Sequence, residues 1–514
     1  MKSTNHTTHE NTTMHVCGIA LIFLSAAMFL CSLVGISDTS ASILILISAL
    51  ITAFFGFILW RRTELGETDQ ANIFSAVGWT WLIISIFGSL PYLFLGTFGG
   101  EGVIFVESLV DSLFESVSGF SCTGSTVFGA HNPIETQSIG ILFYRQMTQW
   151  LGGMGIVVLV VTVLPSLRAG GLGLIDAEAP GAGVDRLAPR VVDTAKKFWS
   201  IYLSLTLLVS VALLLAGMSI FDSISHGLST ASTGGFSTKD SSIGHWDSIS
   251  IEIIIIGGLL IGAANFTLHA RSIEKKRILH FSNPEFRGYF LLAFSGVIIV
   301  ASLLLLDGFN LGTALRSASF NVVTLISSGG FGNARGAGSS GDFASWNASP
   351  QLVLFFFLIF GGCTGSTAGG VKIIRLRIGL AHTYRTMRAI RRPRALLKIR
   401  IGKNVIPDSL VERIAGFVVV YGVLVVAGTL ILTMLGSDLL TSLTGVFSAL
   451  GNMGPGLGEI GPSSSFHDGF SAPARLVLAI FMLIGRLEIF PLFLMLVLPY
   501  RFVKERTDNK NPTF

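Results

Sequence analysis

The stretch "STASTGGFSTKD" (residues 229–240) decides how this chain is read. It lies between two apolar runs, and small hydroxyl residues lead into Gly234 and Gly235. Such a sequence neither continues a transmembrane helix nor fills a packed core. The 514-residue chain around it is 51% hydrophobic and 13% charged, against about 25% charged residues in a soluble domain. Ten long apolar spans recur, near 15–37, 42–61, 73–97, 138–165, 197–218, 251–270, 288–306, 350–383, 411–436 and 472–500. A helix crosses a bilayer with roughly 20 apolar residues. The expected class is an all-α integral membrane protein with ten transmembrane helices.

Charge alternates as the spans do. Lys and Arg concentrate in the loops at 61–70, 166–197, 271–287 and 371–413 and in the tail from Arg501. The run "RTMRAIRRPRALLKIRIGK" (385–403) contains no acid. Opposite it, Lys239 and Arg335 are the main loop cations, among Glu101, Glu107, Glu135, Asp240, Asp247, Asp342, Glu459 and Asp468. By the positive-inside rule both termini are cytoplasmic. The same rule accounts for the basic run without nucleic acid. A polar start ahead of a long first span predicts no cleaved signal peptide. Cys17, Cys31, Cys122 and Cys363 lack the spacing of a disulfide framework or zinc site. His6, His9 and His15 read as a solvated tail, and His226, His269 and His382 as ordinary packing residues. "GAGSSG" (336–341) follows no strand, so it is not a dinucleotide site.

The interruption at 229–240 is one of four. "DSLFESVSGFSCTGST", "FDSISHGLSTASTGGF", "ALRSASFNVVTLISSGGF" and "LLTSLTGVFSALGNMGPG" each join a short amphipathic run to small polar residues and glycine. With Gly124, Gly234, Gly330 and Gly454 as anchors the spacings are 110, 96 and 124 residues. That is the signature of four copies of one unit. A half-helix that stops mid-membrane leaves its last carbonyls unpaired and points its negative dipole end inward. Glycine then lets carbonyls turn toward a common axis, where they replace the hydration shell of a bare cation. The organisation follows: 1–68, an N-terminal tail and extra helix pair; 69–170, first pore repeat; 171–280, cytoplasmic loop and second repeat; 281–385, third repeat; 386–514, basic loop, fourth repeat and cytoplasmic tail.

Two more features carry function. "PQLVLFFFLIF" (350–360) reaches only mid-membrane before "GGCTGSTAGG" (361–370). Small residues at that depth belong in a cavity, not against lipid. The expectation is a flexible intramembrane loop under the filter; the alternative is a kinked helix with a small-residue packing face. In "GRLEIF", Arg486 is an intramembrane charge. It reads equally as a fixed barrier in the pore or as the ion-pair partner of a carboxylate such as Glu115. Asp111, Asp222 and Asp438 open three of the half-helices and read as N-caps, and second as an acidic vestibule.

The stretches "LFESVSGFSCTGST", "QWLGGMGIVVL", "AEAPG", "DRLAPRVVDTAK", "STASTGGFST", "GGCTGSTAGGVKIIR", "NMGPGLGEIGP" and "GRLEIF" resemble the membrane subunit of Trk-type potassium uptake systems, the TrkH/TrkG group of the Trk/Ktr/HKT superfamily. The resemblance runs from about residue 70 to 490. It implies four helix–pore-helix–helix repeats around a potassium pore, a homodimer, a cytosolic TrkA-like nucleotide-binding ring and a bacterial cytoplasmic membrane. It implies potassium as transported ligand and no organic cofactor. Carried over by motif, the filter comprises Cys122, Thr123 and Gly124; Ser232, Thr233 and Gly234; Ser328, Gly329 and Gly330; and Asn452, Met453 and Gly454. Gating falls to Gly361, Gly362, Gly365, Ser366, Gly369, Gly370, Lys372 and Arg486. In related plant transporters a serine at the first of these glycines goes with sodium preference, so glycine in all four segments favours potassium. Passive flow and coupling to Na+ or H+ both fit the residues. A sodium or non-selective monovalent cation transporter is the alternative within this class. An integral-membrane enzyme would gather His, Asp and Glu at one depth, whereas the interior polar residues here are mostly Gly, Ser and Thr.

Overall fold

The computed structural model describes residues 4–64, 70–99, 104–163, 191–392, 397–402 and 404–487. Parts of the expectations above lie outside them: "AEAPG", the first half of "DRLAPRVVDTAK", Glu101, Lys403, the end of "GRLEIF" and the tail from Arg501. The chain is helical. α1 (Thr4–Val34) and α2 (Thr39–Arg62) form a hairpin. α3 (Gln70–Gly88), extended past a break by Leu90–Phe94, precedes the short α4 (Phe105–Phe120) and the long α5 (Ile139–Val163). Next come α6 (Val191–Leu215), the short α7 (Ile220–Ala231), α8 (Ile249–Gly262) and α9 (Phe266–Glu274). α10 (Pro284–Leu306) leads to the short α11 (Leu311–Ile326) and to α12 (Ala348–Phe357). The last part holds α13 (Ile373–Arg391), α14 (Asp408–Met434), the short α15 (Leu439–Gly451) and α16 (Ala472–Arg486).

Six described helices are long and apolar enough to cross a membrane, and seven if the bent pair α8–α9 is one span. Every one of the ten apolar spans holds a helix, but several are not single straight rods. The span at 251–270 bends by 92° between α8 and α9. Asn265 supports the bend, its side chain accepting from the Thr267 N–H at 2.7 Å. The span at 350–383 is cut by a non-helical segment between α12 and α13, so it is no kinked helix. Short parallel strands β1 (Phe360–Gly361) and β2 (Val371–Lys372) pair across the base of that segment.

The molecule is apolar outside and polar within. Phe54, Leu208, Phe294 and Val419 point outward, more than half exposed. Ser118, Thr123, Ser229, Thr233, Thr324, Ser448 and Asn452 are fully buried. This inversion suits a chain surrounded by lipid, where polar groups must be satisfied internally. α4, α7, α11 and α15, of 16, 12, 16 and 13 residues, are too short to cross a ~30 Å core. They hold 14 of the 41 buried serines and threonines among the described residues.

Capping departs from expectation at two of three acids. Asp438 caps α15, accepting from the Leu440 and Thr441 N–H groups at 2.8 and 3.1 Å. The N-cap of α7 is Ser219 rather than Asp222, which lies one turn in and accepts from the Ser219 hydroxyl. Asp111 is inside α4, buried, and paired with Arg475 at 2.7 Å. α4 starts at Phe105, six residues before Asp111, and in all three helices the cap falls on a residue with extended backbone.

Candidate functional site

The four short helices end alike, and the ending is local. In each, a residue at or just past the cap adopts a left-handed conformation: Cys122 (φ 54°), Thr233 (φ 52°), Ser328 (φ 52°) and Asn452 (φ 49°). The next N–H reaches back to the carbonyl five residues earlier: Thr123 to Ser118, Gly234 to Ser229, Gly329 to Thr324 and Met453 to Ser448, at 2.9, 2.9, 2.6 and 2.9 Å. This is the Schellman ending, which satisfies orphan carbonyls at a helix C-terminus. It normally takes glycine at the left-handed position, since other residues are strained there by about 1–2 kcal/mol. Four non-glycine residues carry that strain here, a pattern typical of functional sites.

A left-handed glycine follows two residues on: Gly124 (φ 83°), Gly235 (φ 86°), Gly330 (φ 68°) and Gly454 (φ 92°). These four meet in a closed cycle. A Cβ on Gly124 would lie 2.3 Å from the Gly234 carbonyl oxygen, and one on Gly235 2.3 Å from that of Gly329. One on Gly330 would lie 2.8 Å from the Met453 oxygen, and one on Gly454 2.9 Å from the Thr123 oxygen. Each segment thus presses its glycine against the carbonyl of the next, and the fourth closes on the first. No side chain fits at any of the four.

This corrects one register. The second segment aligns as Thr233-Gly234-Gly235, one residue later than its anchor at Gly234 implied. Ser232 is the helix cap there, as Ser121 and Ser327 are in the first and third segments. Thr123 therefore corresponds to Gly234, Gly329 and Met453, and only the first segment has threonine at that position. Two consecutive glycines fit either register by composition, and only the hydrogen bonding separates them.

Side chains brace the cycle, among them Gln149 and Arg145, which the motifs did not single out. Gln149 of α5 donates to the Gly234 carbonyl at 2.6 Å and accepts from Ser229 Oγ and the Phe236 N–H. Ser125 donates to the Gly454 carbonyl at 2.8 Å, tying the first segment to the fourth. Asn452 Nδ2 donates to Thr123 Oγ1 at 2.9 Å. Behind the first segment, Arg145 Nε pairs with Glu115 at 2.9 Å, both fully buried, while its Nη1 donates to the Ser237 carbonyl in the second. Glu115 also accepts from the Val127 N–H and the Thr126 hydroxyl. Above the glycines opens a cavity of about 340 Å³, walled in part by Gly124, Gly235, Gly330, Gly454, Lys239 and Asp240. Asp111, Asp222 and Asp438 are not among the residues that line it.

The loop at 361–370 lies on the helix-end side of the cycle. It is held at many points, where flexibility was expected. Gly362 and Cys363 donate their N–H groups to the carbonyls of Ile326 and Ala263 at 3.0 and 2.8 Å. Thr367 Oγ1 reaches the Ala231 and Gly262 carbonyls and Thr233 Oγ1. The Gly369 N–H donates to Ser328 Oγ at 2.7 Å, and Lys372 Nζ to the Ala368 and Gly369 carbonyls. Ser366 Oγ donates to the Cys363 carbonyl. Gly365 and Gly370 turn the chain at φ 69° each. The loop so satisfies carbonyls at the ends of α7, α8 and α11, which would otherwise be orphaned inside the membrane.

Arg486 joins the two regions. Its Nη1 donates to the Thr367 carbonyl at 2.9 Å and its Nη2 to that of Gly152 at 2.8 Å, 3.7 Å from Cys122 Sγ. The ion pair with Glu115 does not form, because Arg145 holds that carboxylate.

Fold and site define an all-helical membrane protein whose four short helices converge on a shared polar centre. The comparisons agree on its kin. Residues 41–505 match the TrkH family of cation transport proteins. A TrkH potassium uptake protein of Halomonas elongata is 38% identical over 84% of this chain and 85% of its own length. That of Vibrio parahaemolyticus is 35% identical over 94% of this chain and 97% of its own. The crystal structure of the potassium transporter TrkH from Vibrio parahaemolyticus superposes with a TM-score of 0.82, at 33% identity, covering 95% of this chain and 98% of that one. The chain belongs to the TrkH family.

Proposed function

We propose that this protein is the ion-conducting subunit of a potassium uptake system, with ten transmembrane helices arranged as four helix–pore-helix–helix units around one conduit. The N-terminal pair α1–α2 stands outside the units, whose bounds are those of the four repeat segments (69–170, 171–280, 281–385 and 386–514). The observation that carries this reading is the closed cycle of Gly124, Gly235, Gly330 and Gly454 against the carbonyls of Gly234, Gly329, Met453 and Thr123. Carbonyls of the four turns stand in for water around a dehydrated potassium ion. α4, α7, α11 and α15 aim their negative dipole ends at the path. Gln149, Ser125 and Asn452 hold the turns at fixed spacing. The names of the relatives, which are potassium uptake proteins, support potassium as the substrate.

The loop at 361–370 acts as the gate, and Lys372 and Arg486 place positive charge beside the path. The basic inner surface, from Arg385 through Arg400 with Lys403, Arg186 and Arg190, docks a cytosolic nucleotide-binding ring. The protein works as a homodimer in the bacterial cytoplasmic membrane with both termini inside.

Purified protein in liposomes under imposed K+, Na+ and H+ gradients tests this. The reversal potential is expected to follow the K+ gradient, and any shift with Na+ or H+ at fixed K+ reports coupling. Gly124→Ser is expected to cut K+ over Na+ selectivity roughly tenfold, equivalent to about 1.4 kcal/mol. A reversal potential indifferent to K+, or unchanged selectivity in that variant, overturns the reading.

A further inference from the structure

The buried carboxylate of Glu285 has no part in the site so far. Glu285 lies in the first turn of α10 and is 5% exposed. It does not cap its own helix: Asn283 does, accepting from the Glu285 and Phe286 N–H groups at 2.8 and 3.1 Å. The Glu285 carboxylate turns instead toward the loop. Oε1 accepts from the Thr364 N–H at 2.8 Å, the Thr364 hydroxyl at 3.0 Å and the Ile374 N–H at 3.3 Å.

These donors lie on opposite flanks of the loop. Thr364 is within the loop, and Ile374 is in the first turn of α13, where no cap side chain serves the helix. One oxygen from a third element therefore clasps both limbs and supplies the anion that a helix N-terminus favours. The opposite side of the loop is held by Ser328, Thr233 and Arg486. A carboxylate only accepts hydrogen bonds, and one left unpaired in the interior is costly. The closed loop is what satisfies it.

We propose that Glu285 is a positioning residue of the gate, a latch whose bonds to Thr364 and Ile374 must break before the loop leaves the conduit. This rests on the loop being the gate. It makes Glu285 a determinant of how often the path opens, without touching the ion or the filter.

Cys363 offers a native reporter. It is free, fully buried and adjacent to Thr364. The full chain in liposomes is assayed for potassium flux and for alkylation of Cys363, mapped by mass spectrometry. Glu285→Ala is expected to raise both roughly tenfold, the scale of losing charge-assisted hydrogen bonds. Glu285→Gln keeps an acceptor and is expected to fall between that variant and wild type. A partial deletion within 361–370 is the control. If the deletion raises flux while Glu285→Ala changes neither flux nor labelling, the latch is wrong and the gate stands. If the deletion leaves flux unchanged, the gate reading fails and the latch with it. Should Glu285→Ala not fold, Glu285→Gln and Thr364→Val decide. Faster Cys363 labelling in either supports the latch, and wild-type labelling in both overturns it.

Discussion

The four helix-end turns and the loop at 361–370 both place irregular backbone inside the membrane, yet they satisfy it in opposite ways. Each turn bonds to its own helix, five residues back, from Thr123 to Ser118 through Met453 to Ser448. The loop bonds almost wholly to distant elements: Ile326, Ala263, Ala231, Ser328, Glu285 and Arg486. A locally closed turn has no alternative partner, so it keeps its shape when neighbours move. A loop held by remote partners has a second state available whenever those partners let go. The difference suits the roles proposed for them, a fixed filter and a movable gate lying against each other.

Breaking the rigid half is expected to have the largest effect. Glu115→Ala strands Arg145 in a fully buried position and is expected to cost about 3–5 kcal/mol. Thermal unfolding in detergent measures it, and a Tm near wild type would show that the pair braces nothing. Next comes the register. Gly235→Ala adds a methyl at φ 86° and 2.3 Å from the Gly329 oxygen, a conformational strain of about 1–2 kcal/mol before the overlap is counted. Gly234→Ala meets only the Gln149 side chain, at 2.4 Å, without a left-handed backbone. Flux is expected to fall further in Gly235→Ala, with K+ over Na+ selectivity relaxed as in Gly124→Ser, than in Gly234→Ala; the reverse order would restore Gly234 as the anchor.

The movable half responds more gently. Thr367→Val removes the hydroxyl that reaches the Ala231 and Gly262 carbonyls, about 1 kcal/mol net. Amide exchange across 362–370 is expected to quicken roughly fivefold with ion selectivity unaltered. Altered selectivity would mean that loop and filter are one rigid body. The smallest effect belongs to neither half. Asp38 caps α2, and the Ala41 N–H holds its carboxyl below the ordinary range. Its contribution is present at neutral pH and fades as the pH falls through that lowered value. Asp38→Ala is expected to lower Tm slightly at pH 7 and not at strongly acidic pH, with flux unchanged.

Much of the architecture was legible in the residues. The apolar spans, the short amphipathic helices and their small-residue endings are local patterns, and each segment met a helix end or a turn where composition marked one. The loop was legible for the same reason, since glycine, serine and threonine at mid-depth exclude lipid. Two of the misreadings share a cause. Glu115 was offered to Arg486 but belongs to Arg145, and Asp111 was read as a cap but pairs with Arg475. A charge in sequence does not name its partner.

The order of apolar and small-residue segments by itself determined that the chain is a membrane protein with four interrupted half-helices, because hydropathy and backbone freedom are properties of short stretches. Only the tertiary structure decided which glycine of the second segment closes the cycle, that Gln149 holds that segment's carbonyl, and that Glu285 reaches across to the loop. Those outcomes depend on distances between residues far apart in the chain, which packing alone sets.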